Sequence, residues 1–144
     1  MIVREATPQD AAGMTRRWGL WAMVEHAEGP DERAWFDQEF AGLEAGTLLA
    51  SVAVERGQVM GFADGSLVYE PGTREKVLVG RHIIVRDDYR GQGWGDMLML
   101  RLLALARQSG ASSMLTHGTP TRHAVEKYLG APMEKKHELW VARW

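Results

Sequence analysis

The 144-residue sequence predicts an α/β protein (α+β in some schemes) with a mixed central sheet of about six to seven strands and about four flanking helices. Three observations predict it. Residues 47–86 hold three successive strand-like runs joined by short turns, which must pair antiparallel. Residues 76–144 alternate strand and helix patterns, which implies parallel pairing. Between these regions lies "YRGQGWGD" (89–96), with three glycines on alternate positions joining a strand to an apolar helix.

The elements follow in order. "IVREA" (2–6) alternates and reads as a strand. Thr7-Pro8-Gln9-Asp10 supplies an N-cap, a first-turn proline and an N3 acid, opening a helix to about Glu25 with Met14, Trp18, Trp21 and Val24 at helical spacing. A second helix follows Pro30 near 31–44, carrying Trp35, Phe36, Phe40 and Leu43. "TLLASVAVE" (47–55) and "QVMGFADGSLVYE" (58–70) are strands about a turn at Arg56-Gly57, and "KVLVGRHIIVR" (76–86) is the most β-like run. "GDMLMLRLLALARQSG" (95–110) is an apolar helix closed by Gly110. "ASSMLTHG" (111–118) is a short strand, Thr119-Pro120 opens a helix ending at Gly130, and "HELWVARW" (137–144) is the last strand. No repeat or linker interrupts the chain, so 1–144 reads as a single domain.

Composition narrows the function classes. With 45% hydrophobic and 25% charged residues and a net charge of −2, no basic field recruits nucleic acid or an anionic membrane. The absence of cysteine excludes disulfides, thiolate metal sites and a cysteine nucleophile. "MIVREATPQD" lacks a signal-peptide apolar core, and the apolar stretch at 97–106 is far shorter than the roughly 20 residues of a membrane span, so a cytoplasmic location is expected. The histidines are scattered without ligand spacing, so no metal is expected, and no Gly-x-Ser-x-Gly elbow suggests a serine hydrolase.

Without Cβ atoms at 91, 93 and 95, the backbone can curl and aim several amides at one point. The first turn of the following helix adds its unpaired N–H groups and partial positive charge. That is an anion cradle. Asp96 after Gly95 excludes a Walker loop, and the late position and spacing exclude a dinucleotide fingerprint.

"VRDDYRGQGWGDMLMLRLLALARQSG" (85–110) resembles the acetyl-CoA-binding segment of the GNAT superfamily of N-acetyltransferases, whose Arg/Gln-x-x-Gly-x-Gly/Ala signature is met by Arg90, Gly93 and Gly95. The order of elements resembles the GNAT fold along the whole chain. The resemblance implies that the backbone around Arg90, Gly91, Gln92, Gly93, Trp94, Gly95 and Asp96 holds the pyrophosphate of acetyl-CoA. It further implies that the strand end at Ile83, Ile84 and Val85 pairs with the pantetheine arm, in a gap where strands 77–86 and 112–117 splay apart.

Acetyl transfer to an amine needs a base for the amine, a donor for the thioester oxygen and a proton for the leaving thiolate. His117 is the first candidate base, because "THGTP" resembles the "DTSP"-like stretch of some aminoglycoside 6′-N-acetyltransferases. His82 is the second. Relatives often carry Glu or His four residues before the Val85 position, which here is Arg81. Regular alternation sends His82 to the other face, and a bulge would re-aim it. Arg81 is open to an acidic group of the acceptor or to a neighbouring carboxylate. Relatives also carry a tyrosine four residues before the helix-ending glycine. Here that position is Glu126, and Tyr128 lies two residues further on. Either Glu126, water or His123 handles the thiolate proton, or a shorter, re-registered helix brings Tyr128 to it.

Residues 25–45 hold seven acids (Glu25, Glu28, Asp31, Glu32, Asp37, Glu39 and Glu44), read either as a solvated helix face or as a rim for a cationic acceptor. Trp18, Trp21 and Trp35 are either core or cleft lining. The resulting expectation is an acetyl-CoA-dependent N-acetyltransferase, acting by direct transfer on a primary amine of a small molecule or peptide, as a monomer or homodimer. The alternative is a GNAT domain that keeps the cradle but has lost turnover, acting as an acyl-CoA-binding sensor or scaffold.

Overall fold

The computed structural model describes residues 1–15, 32–70, 72–116, 122–136 and 139–144. Strand β1 (Ile2–Glu5) leads through a 3₁₀ turn (Pro8–Asp10) into helix α1 (Ala11–Thr15). The Asp10 carboxylate accepts the Thr7 N–H at 2.7 Å and pairs with Arg4, so the helix start read from the sequence is formed. The remainder of the expected first helix, with Trp18 and Trp21, lies outside the described residues. Helix α2 (Glu32–Ala45), strands β2 (Leu48–Glu55), β3 (Gln58–Tyr69) and β4 (Lys76–Val85), and helix α3 (Trp94–Gln108) follow. Strand β5 (Ser113–Thr116), helix α4 (Arg122–Leu129) and strands β6 (Glu134–Lys136) and β7 (Leu139–Arg143) complete the chain.

The seven strands form one sheet in the order β1-β2-β3-β4-β5-β7-β6, antiparallel except for the β4–β5 pair. Short β6, pairing Glu134–Lys136 against β7, is an addition to the expected strands. Three charged residues with no alternating apolar positions give no strand signal of their own.

Helices cover both faces. One side carries α3 and α4, whose Leu98, Leu102, Leu103 and Val125 pack on Leu78, Met114 and Ala142. On the other side Met14 of α1 joins Val52, Phe62 and Ile84. Fully burying a side chain of this size contributes roughly 1.5–3 kcal/mol. The alternation of strand residues between the two clusters is why β2, β3 and β4 read as near-continuous apolar runs.

Two irregularities of β4 shape the site. The β4–β5 ladder runs only from Val77↔Ser113 to Val79↔Leu115. Beyond it β4 continues to Val85 paired with β3, and among the described residues no strand pairs with its other edge. Gly80 sits at the fork, where a Cβ would lie 3.3 Å from the Leu115 carbonyl oxygen. The second irregularity is a bulge: Asp64 pairs with His82 but Gly65 pairs with Gly80, so Arg81 is an extra residue in β4.

Candidate active site

The glycine stretch caps α3. Gly91 (φ 76°) and Gly93 (φ 87°) are both left-handed, a conformation that glycine adopts without a Cβ penalty. A Cβ built on either would have no atom within 4 Å, so the turn opens onto free space. The first backbone bond of α3 is Met97 N–H to the Gly93 carbonyl at 3.2 Å. The amides of residues 91–96 make no backbone hydrogen bond among the described residues, and they edge that space. Gly95 is different: it lies within the helix, where a Cβ would sit 3.8 Å from Ile83 Cγ2.

The surroundings brace the turn. Arg90 Nε donates to the Val85 carbonyl at 3.1 Å and lies 3.2 Å from Asp87 Oδ1. The Tyr89 hydroxyl donates to Glu55 of β2, and that hydrogen bond is the main reason its pKa is raised. Trp94 opens α3, half-buried, and its Nε1–H donates to Gln92 Oε1 at 3.3 Å. Asp96 stands in the first turn. Ile83 and Val85 pack toward α3, while Ile84 faces the other core.

Because of the bulge, Arg81 and His82 both face α2. The two side chains flank the buried indole of Trp35: the His82 ring centroid is 4.9 Å away and the Arg81 guanidinium carbon 5.6 Å. Two buried carboxyls complete the cluster. Asp64 of β3 holds His82, Oδ1 to Nδ1 at 2.9 Å, and Glu39 of α2 accepts from Arg81 Nη1 at Oε1, 3.0 Å. Glu39 Oε2 and Asp64 Oδ2 are buried without a hydrogen-bond partner, and Asp64 Oδ2 lies 4.0 Å from Arg81. Burial, then the Asp64 charge, pushes the Glu39 pKa up to about 8 against the opposing effect of Arg81. Glu39 thus keeps a proton near neutrality, facing a second carboxyl.

With Nδ1–H donated to Asp64, the His82 Nε2 carries the lone pair, the tautomer a general base requires. His82 stands three residues past the last β4–β5 rung, at the mouth of the open strand edge. Sequence reasoning singled out His82 and Arg81, named Glu39 only as one acid of a possible acceptor rim, and did not name Asp64. Asp64 in the apolar run 58–70, breaking the pattern at an inward position, was the available signal.

Two further sequence candidates, Glu126 and Tyr128, make their contacts outside this cluster. His117 is outside the described residues. Glu126 turns its Oε2 to the Met133 N–H at 2.9 Å and its Oε1 to Arg122 at 3.3 Å. Helix α4 runs through Leu129 to a left-handed Gly130 (φ 68°), so the shorter, re-registered helix does not form. Tyr128 is half-exposed beneath the Arg107 guanidinium at 5.9 Å. Of the acidic run, Glu39 turns inward, whereas Asp37 and Glu44 are exposed. Among the described residues no group of three or more His, Asp or Glu is arranged to hold a metal ion, and no helix is long and apolar enough to cross a membrane.

Solved structures share this architecture. One, described as a "predicted acetyltransferase" from Clostridium acetobutylicum and solved with acetyl-CoA, superposes with TM-score 0.74 at 16% identity over 95% of this chain and 92% of that one. A GNAT family acetyltransferase from Brucella melitensis in complex with acetyl-CoA gives 0.72 at 23% identity, over 99% and 87%. The aminoglycoside N-acetyltransferase AAC(6′)-Iy in complex with CoA gives 0.68 at 20% identity, over 94% and 90%. The fold is that of the acetyltransferases. No curated protein matches the chain by sequence. The family assignment rests on the sequence itself: residues 14–131 match the acetyltransferase (GNAT) family, and the chain belongs to it.

Proposed function

We propose that this protein is an acetyl-CoA-dependent N-acetyltransferase that moves the acetyl group directly to a primary amine of a small molecule or peptide. The observation that carries the reading is the His82–Asp64 pair on the stretch of β4 whose second edge no strand covers among the described residues. Acetyl-CoA, as donor, supplies an activated thioester. The amides of 91–96 bind its phosphates, the free edge of β4 over residues 80–85 orients the pantetheine arm, and open space at Gly91 and Gly93 admits it. His82 Nε2 takes the proton that the amine nitrogen loses as the new amide bond forms. The carbon–sulfur bond of the thioester breaks as the carbon–nitrogen bond forms, the leaving thiolate takes a proton from water, and His82 returns its own to solvent, so amine plus thioester gives amide plus thiol. Asp64 stabilises the imidazolium formed at His82. Structures related in fold that were solved with acetyl-CoA support the donor assignment.

His82→Ala tests this. Thiol release should fall about 10²–10⁴-fold, with acetyl-CoA affinity unchanged in calorimetry. Wild-type protein that binds acetyl-CoA but releases no thiol with any amine would leave the sensor reading, which the outward Tyr128 and the occupied Glu126 favour. Failure to bind the donor overturns both.

A further inference from the structure

Helix α2 and the adjoining ends of β2 and β3 bound an open groove of about 470 Å³, lined by Gln38, Ala41, Gly42, Thr47, Ser66 and Arg81 among others. Among the described residues its lining includes no acid, and Arg81 is the single charged group on it. Gln38, Thr47 and Ser66 add neutral polar groups. The groove therefore suits an anionic group, in contrast to the acidic composition of the α2 segment.

Arg81 is available to a ligand. It commits Nη1 to Glu39 and makes no other hydrogen bond among the described residues, which leaves most of its planar donor set unused. The Trp35 ring lies 5.6 Å below its guanidinium carbon and holds it in place. Because Glu39 keeps its proton near neutrality, its contact with Arg81 is a hydrogen bond to a neutral carboxyl, and the opposing charge is Asp64 Oδ2 at 4.0 Å, beyond hydrogen-bond distance. A carboxylate matches the guanidinium fork in a bidentate pair, as an amine or a neutral group does not. His82 is the next residue on β4 and packs on the same indole, beside the groove rather than in its described lining.

We infer that the acceptor is a small amino acid, whose carboxylate docks on Arg81 in the α2 groove while its amine addresses His82. This rests on the transferase reading above, and it narrows the acceptor from any primary amine to an amine carrying a carboxylate a few atoms away. The carboxylate is unchanged in the reaction; the bond formed is nitrogen to acetyl carbon.

The test uses products, so binding is read without turnover. Calorimetry compares N-acetylglycine with N-methylacetamide, N-acetylleucine with N-isopentylacetamide, and N-acetylphenylalanine with N-phenethylacetamide, each pair differing only in the carboxylate. At least one carboxylated member should bind about tenfold or more tightly than its partner, and Arg81→Gln should abolish that difference. Arg81→Lys keeps the charge without the fork and should restore part of it; melting curves confirm that both variants fold. Equal or absent binding within every pair in the wild type overturns the inference. Thiol release from glycine, leucine and phenylalanine against methylamine, isopentylamine and phenethylamine tests the underlying reading separately. Discrimination in binding without thiol release keeps an amino-acid site and overturns the transferase. Equal release from both series keeps the transferase and overturns the groove.

Discussion

Replacing Glu39 with glutamine isolates the proton that this buried carboxyl carries. Folding raises the Glu39 pKa from 4.5 to about 8, first through burial and then through Asp64. An unfolded glutamate gives up its proton near pH 4.5, while the folded one keeps it until about pH 8, so the native state binds the extra proton between those values. The sign follows: the favourable term is complete below pH 4.5 and is lost as pH rises through about 8. Linkage limits the slope to about 1.4 kcal/mol per pH unit. Across this window the accumulated loss is on the order of 5 kcal/mol, a large fraction of a typical domain's stability. Glutamine is neutral throughout. Its amide carbonyl can still accept from Arg81, and its NH₂ can donate toward Asp64 Oδ2, which lacks a partner. Urea unfolding of both proteins from about pH 5 to about pH 9 provides the assay. The wild type and Glu39→Gln should be nearly equal at the acid end, and the variant more stable by a few kcal/mol at the alkaline end. A difference that stays constant with pH would refute the buried proton, because every other titrating group is common to both chains.

Two further outcomes follow from local geometry. Gly93→Ala forces a side chain into a left-handed conformation (φ 87°), at roughly 1–2 kcal/mol, so the turn relaxes away from its cradle shape. Acetyl-CoA affinity should drop about tenfold in calorimetry with helical circular dichroism retained, and unchanged affinity would remove the turn from the donor site. Ser51 of β2 is buried and donates to the Leu98 carbonyl at 2.7 Å, tying the first turns of α3 to the sheet. Ser51→Ala should lower unfolding free energy by about 1 kcal/mol, and a melt unchanged within error would show that the tether carries no stability.

The order of elements and the cradle were legible because their signals are local. Thr7-Pro8-Gln9-Asp10 encodes its own helix start, Gly110 and Gly130 end α3 and α4 in left-handed conformations, and the positive φ of Gly91 and Gly93 answers to neighbours in sequence. Strand β6 escaped because it is three residues long and forms only by pairing with β7. The cluster around Arg81 and His82 was legible only in part, for a stronger reason. Glu39, Asp64 and Arg81-His82 come from a helix and two strands, and what joins them is a one-residue slip between β3 and β4 that no composition or periodicity encodes. Strict period-two reasoning puts Arg81 and His82 on opposite faces, and the bulge cancels it.

That slip also separates the two halves of the site mechanically. The cradle is a contiguous turn braced to β2 by Tyr89 and Glu55 and to β4 by Arg90 and Val85. The acceptor half hangs on α2, through Glu39 against Arg81 and Trp35 against both bulge residues. A substitution on the groove face of α2 at Gln38 or Ala41 changes what lies beside Arg81 without touching the glycine turn proposed for the donor. The reverse holds for the cradle, whose open glycines contact nothing in α2. On the function proposed, acceptor choice can therefore change on one helix while donor binding is retained, and the buried Glu39 marks where that helix is fastened to β4.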